Sequence, residues 1–104
     1  MTKKLYKRFE SKITGDLVGP YSRLNYYNRK GEKLTTKNAI GFRATPITKK
    51  LIACRVGYHA ATKSRIDFYA GSVVYEVILY GAIEHCSFNR KWLGTSFKIL
   101  RKVR

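Results

Sequence analysis

Residues 73–80 read Val-Val-Tyr-Glu-Val-Ile-Leu-Tyr between Gly71 and Gly81, the clearest apolar run in the chain. So many β-branched and aromatic side chains in succession predict a strand over 72–84, central in its sheet and buried on both faces. Residues 97–103, Phe-Lys-Ile-Leu-Arg-Lys-Val, predict a second strand that pairs with it. In that strand Lys98, Leu100 and Lys102 would face solvent or a partner, while Phe97, Ile99 and Val103 face the core and Arg101 sits at the edge. Residues 5–9 and 51–59 are further strand candidates. Residues 62–69 fit a short helix, with Thr62 or Ser64 as cap and Ile66 and Tyr69 at i, i+3 spacing. Asn28-Arg29-Lys30-Gly31 has hairpin-turn chemistry between 24–27 and 32–35. The predicted architecture is α+β: one small domain over 1–104, a mostly antiparallel sheet of four to six strands with one or two short helices.

Composition agrees with a folded domain and adds an excess of positive charge. In 104 residues, 22 are Lys or Arg and 6 are Asp or Glu, a formal net charge of +16, while 44% are hydrophobic. The charge lies in blocks around the apolar run. Residues 23–50 carry a net +7 and 90–104 a net +6, whereas 71–89 carry −2. Such self-repulsion destabilises a compact chain, and it points to a polyanionic partner. No apolar stretch approaches the roughly 20 residues of a membrane span, and the basic N-terminus lacks the apolar core of a signal peptide. Two cysteines make no disulfide scaffold. The chain therefore reads as soluble and cytoplasmic.

Catalytic and metal chemistry find little footing. The soft ligands Cys54, His59, His85 and Cys86 lack the short paired spacing of a zinc site, and adjacent residues such as His85 and Cys86 point to opposite faces of a strand. Two unpaired thiols, no metal and no cofactor are expected. His59, Tyr69 and Glu76 follow the chain order of the His, Tyr and Glu of ADP-ribosyltransferase-like folds. Yet 104 residues leave little room for a nicotinamide pocket, and Glu76 falls inside the predicted strand. The competing readings are a turn histidine that bonds backbone and a sheet glutamate that pairs with a neighbouring base. There are no paired carboxylates and no Gly-rich phosphate loop, so the expectation is a protein that is not an enzyme.

The basic segments carry the better signal. Arg23, Tyr26, Tyr27, Arg29 and Lys30 interleave cations with aromatic rings, and Lys33 and Lys37 follow. Arg90, Lys91 and Trp92 repeat the combination, Lys49 and Lys50 add to the most basic third of the chain, and Lys98, Lys102 and Arg104 close it. Cations would neutralise phosphates while tyrosine faces stack on exposed bases. The competing reading of Tyr26, Tyr27 and Trp92 is that they cover the core. No helix-turn-helix, zinc finger or RNP-type motif is visible. The blocks 23–37 and 90–104 are expected to form one continuous surface over the 71–86 strand.

One stretch also has a familiar pattern: Cys54-Arg-Val-Gly57-Tyr58-His59-Ala60, then Tyr69, then Val73-Val-Tyr-Glu76-Val77 with Leu79-Tyr-Gly81, then Lys98-Ile-Leu-Arg101. It resembles an uncharacterised domain of short bacteriophage and prophage proteins, over about two thirds of the chain. The family usually has a second Cys after its His-Ala pair, where this sequence has Ala61, so a role needing that thiol is absent. The resemblance implies a small phage-type protein acting on host or phage machinery. The expected function is binding of nucleic acid or a nucleoprotein through the basic surface. The alternative is an inhibitor docking on an acidic host protein, such as a polymerase, nuclease or defence complex.

Overall fold

The apolar run after Gly71 forms the middle of a sheet in a computed structural model that describes residues 2–48, 50–51, 57–87 and 90–104. Five strands occur among these residues: β1 (Thr2–Ser11), β2 (Leu17–Val18), β3 (Tyr58–Ala60), β4 (Val73–Cys86) and β5 (Lys91–Lys102). They make one antiparallel sheet in the order β2-β1-β4-β5-β3. β4 is therefore covered on both edges, and Val74, Tyr75, Glu76 and Val77 are buried in succession, which is why this segment does not alternate in sequence. Of the strand expected over 51–59, residues 52–56 lie outside the described residues, and β3 takes up its end. The turn at 28–31 forms as its chemistry predicts. The Asn28 Oδ1 accepts from the backbone N–H of Lys30 (3.0 Å) and Glu32 (2.9 Å), and Gly31 takes a φ of +79°.

The expected α+β class is overturned. The fold is all-β, and no α-helix occurs among the described residues. Residues 62–69 make only a 3-10 turn at Ile66–Phe68, with no side-chain cap, and the hydroxyls of Thr62 and Ser64 meet each other at 3.2 Å. The chain on either side fixes this outcome. Ala61 exchanges two backbone hydrogen bonds of 2.8 Å with Tyr6 on one side. On the other, Tyr69 is already extended and Gly71 takes a φ of +133°. One tight turn fits between these points and buries Ile66 against Ala61 and Val74.

Two bulges set which side chains face inward. Between Glu76↔Arg101 and Val77↔Ile99 the register leaves Leu100 unopposed, and between Tyr80↔Ser96 and Ile83↔Gly94 two residues of β4 face one of β5. Gly81 occupies the second bulge at a φ of +79°, where a Cβ would lie 1.8 Å from the Thr95 Oγ1. The first bulge corrects the expected facing of 97–103. Phe97 and Ile99 do point into the core, but Arg101 lies opposite Glu76 on the outer face, with Lys98. Lys102 lies opposite Tyr75, on the other face, and Val103 is exposed beyond the strand.

The core fills the concave side. Leu5 and Phe9 of β1, Tyr75, Val77 and Leu79 of β4, and Phe97 and Ile99 of β5 pack under Leu17, Leu34, Ala39, Phe42 and Ala44 of the long 12–51 segment. Phe97 is its hub. Its ring centroid lies 5.0 Å from Tyr58, 5.5 Å from Tyr26, 6.0 Å from Phe9 and 6.3 Å from Phe42. The sheet curls until the end of β3 reaches β1 through the Tyr6–Ala61 pair, closing a small barrel along a seam one residue pair long. No helix among the described residues is long and apolar enough to cross a membrane.

Candidate functional site

Across the outer face, the register of three strands and one loop aligns cations in a row. Lys4 of β1 lies opposite Ile78 of β4, Ile78 opposite Lys98 of β5, and Lys98 bridges to Arg43. The Arg43 guanidinium sits 4.2 Å from the centroid of the Tyr80 ring, a cation–π contact that holds it beside β4. Next to the row, the buried Glu76 carboxylate receives Arg101 at 3.2 Å and Lys4 at 3.6 Å. Arg43 also lines a cleft of about 360 Å³ with Arg29, Lys30 and Phe42. Arg43 thus stands between Arg29 and Lys30 on one side and Lys98 on the other, and Lys4 extends the row from β1; neither Arg43 nor Lys4 was singled out from the sequence.

The other expected site residues have different surroundings. Tyr26 belongs to the core, edge-on to Phe9 at 5.4 Å, and burial pushes its hydroxyl up to about 12. Tyr27 is half exposed, and its carbonyl accepts from Thr45. Lys33 is neutralised by Asp16 at 3.1 Å, and its hydrogen bond holds that carboxyl below the usual range. Arg104 pairs with Asp67. Trp92 packs on the His85 ring at 4.6 Å and carries the Lys3 ammonium 4.2 Å from its centroid. Arg23 and Arg90 are exposed at left-handed φ values of 62° and 54°. Lys37, Lys50 and Lys102 are exposed, and Lys49 lies outside the described residues. Lys102 and Arg104 stand apart from the Arg29–Arg43–Lys98 group: Lys102 lies opposite Tyr75, and Arg104 meets β4 and the 3-10 turn.

A second basic feature lies at the seam. The alternation Leu5, Lys7, Phe9 turns Lys7 into the apolar face, and Lys7 is buried there. Its ammonium donates to the His59 carbonyl at 2.5 Å and lies 5.4 Å from the ring centroids of both Tyr26 and Phe97. No carboxylate pairs with it among the described residues. Loss of hydration, helped by the charge of Lys91, brings its pKa from 10.5 down to about 7. Beside it, burial and the same two lysines hold the His59 imidazole down to about 4, so it is neutral at pH 7. The His59 Nε2 is buried with no hydrogen-bond partner among the described residues. These groups line a pocket of about 330 Å³ with Tyr6, Tyr21, Tyr69 and Lys91. Arg8 also lines it but is fully engaged, donating to the carbonyls of Ile66 (2.9 Å) and Gly71 (2.7 Å) and to Asp67 (3.1 Å). The sequence signal for this site was the lysine in an otherwise apolar alternation.

His59 and Tyr69 share this pocket, whereas Glu76 lies on the outer face with Lys4 and Arg101, so the three do not converge. Cys86 is buried and disulfide-bonded, which corrects the expectation of two unpaired thiols; Cys54 lies outside the described residues. Among the described residues no group of three His, Cys, Asp or Glu side chains could hold a metal. No protein family, curated protein or solved structure matches this chain.

Proposed function

We propose that this protein binds nucleic acid through the outer face of β1, β4 and β5 and the flanking 28–44 segment. One observation carries the reading: Lys4, Lys98 and Arg43 stand in register across four neighbouring segments, β1, β4, β5 and the loop at Arg43, with the apolar Ile78 and the Tyr80 ring between them. Neighbouring strands lie about 4.8 Å apart, so the row extends over about 14 Å, the axial length of about four phosphates of one duplex strand. Glu76 already has its charge met by Lys4 and Arg101 and does not repel a phosphate as a free carboxylate would. Arg29 and Lys30 extend the positive field along the cleft.

Three cations on three phosphates give a log–log salt dependence with a slope near −3. Fluorescence-anisotropy titration of duplex and single-stranded DNA and of RNA measures it. Lys98→Glu with Arg43→Glu should weaken binding and flatten the slope by about 2. No binding to any of the three at low salt overturns the proposal. Partners captured from host lysate provide a second check: loss on nuclease treatment supports nucleic acid, and survival would move the reading to an acidic protein surface. We place the protein in the cytoplasm, where nucleic acid is at hand. Thiol labelling in intact cells tests this: Cys86 should label there as a reduced thiol, and protection as a disulfide would move the protein to an oxidising compartment.

A further inference from the structure

The seam pocket is separate from the outer face and has its own chemistry. Its lining contains cations, one neutral imidazole and four tyrosines, and no acidic residue. Lys7 and Lys91 repel each other and have no carboxylate partner among the described residues. The buried His59 Nε2 lacks a hydrogen-bond partner there as well. An anion in the pocket would meet all three needs at once, because it separates the two like charges and accepts from the imidazole N–H. The rim adds flat apolar surface. Tyr21 reaches from the 19–22 loop so that its hydroxyl accepts from the Ala70 N–H at 3.1 Å, tying two rims of the pocket together, and Tyr6 and Tyr69 line the wall. At about 330 Å³ the space is at the small end of ligand sites, enough for one ring, one sugar and one phosphate.

We propose that this pocket binds a nucleoside 5′-monophosphate, free or as the phosphorylated end of a nucleic-acid strand, with Lys7, Lys91 and His59 on the phosphate and the tyrosine rings on the base. The cations and the unpartnered nitrogen select the anion, and the aromatic rim selects a flat ring over a bare phosphate. Lys7 is half neutral near pH 7, so an arriving phosphate also draws a proton onto its amine. Facing Lys7 are Lys91 of β5, His59 of β3, and Tyr26 from the long 12–51 segment, and none of them is an acid that would compete for that proton.

Calorimetric titration of the full chain with adenosine 5′-monophosphate, adenosine and inorganic phosphate tests the site. The monophosphate should bind at least about tenfold more tightly than either fragment. Lys91→Gln, a substitution at a half-buried position, should lower that affinity about tenfold, and Lys7→Met should do the same while keeping the side-chain volume. Lys98→Glu with Arg43→Glu should leave it unchanged, so failure here and failure of outer-face binding are read separately. In that same double variant, a 5′-phosphorylated oligonucleotide that outcompetes its 5′-hydroxyl form identifies the ligand as a strand end, and equal binding of the two identifies the free nucleotide. Monophosphate affinity no better than that of adenosine overturns the proposal. So does unchanged affinity in Lys91→Gln with a native near-ultraviolet circular dichroism spectrum.

Discussion

Replacing Lys7 by Met removes the one lysine ammonium that the fold buries among the described residues, and its effect on stability should depend on pH in a calculable way. In the unfolded chain the amine titrates at 10.5, and in the folded protein at about 7. Between those values the unfolded state holds one proton more than the folded state, so the stability of the wild type rises with pH by about 1.4 kcal/mol per pH unit. Over the whole interval, burial of this charge costs about 5 kcal/mol on the acid side, and the penalty fades toward pH 10. Methionine has no such proton. It loses the hydrogen bond to the His59 carbonyl, a penalty of about 1–2 kcal/mol that does not change with pH. The variant should therefore be the more stable protein at pH 7, and its advantage should shrink by about 2 kcal/mol by pH 9. Urea unfolding of both proteins at half-unit steps from pH 7 to 9.5 measures this difference and cancels the titration of the other surface lysines. The window stops there because Tyr26, raised to about 12 when folded, makes stability fall above pH 10. Parallel stability curves for the two proteins would refute the buried, desolvated state of Lys7.

Further outcomes follow from the same geometry. Phe97→Ala removes the ring on which four others pack and should lower unfolding stability by about 3–5 kcal/mol in urea titration, with loss of near-ultraviolet dichroism. Glu76→Gln leaves Lys4 and Arg101 in water rather than stranding them, so it should cost only about 1–2 kcal/mol, while raising affinity for nucleic acid at the freed cations. Gly81→Ala places a Cβ against Thr95 at left-handed φ and should destabilise by more than the about 1 kcal/mol of an ordinary Gly-to-Ala misfit; Gly81→Ala with Thr95→Ala should recover part of it. The His59 ring protons should titrate near pH 4 in proton NMR, below the ordinary histidine range, and should move up in Lys7→Met as one of the two repelling charges disappears.

The strands were legible wherever one physical signal dominated. The bare apolar run of β4 and the Asn28–Gly31 turn announce themselves through composition and turn chemistry, which are local. The helix expected over 62–69 failed because its neighbours decide: the Tyr6–Ala61 bonds and the φ of Gly71 are long-range facts that i, i+3 spacing cannot report. Arg101 looked out of place in a strict alternation because nothing in Phe-Lys-Ile-Leu-Arg announces the Leu100 bulge that turns it to face Glu76. The basic surface was visible as charge, but its grouping was not. Lys33 and Arg104 looked like free cations until Asp16 and Asp67 were found beside them. Arg43 looked like a loop residue until the chain laid it next to Lys98. Lys7 was hidden by the habit of reading a lysine as surface, although the residues two before and two after it are core.

The closure of the barrel through one residue pair has a consequence for how the molecule breathes. Two backbone hydrogen bonds between Tyr6 and Ala61 hold β3 to β1, each with a net worth of about 1 kcal/mol, and the ammonium of Lys7 adds a third to His59. Parting this line breaks little, and it lets water reach the one cation that gains most from it. The rest of the sheet has no comparable incentive to open, because β4 is zipped to both neighbours along most of its length. Amide hydrogen exchange at Tyr6 and Ala61 should therefore be faster than in the middle of β4, and should speed up relative to β4 as the solution is acidified through pH 7 and Lys7 takes up its proton. The same opening would be the route by which a small solute enters the closed side of the barrel.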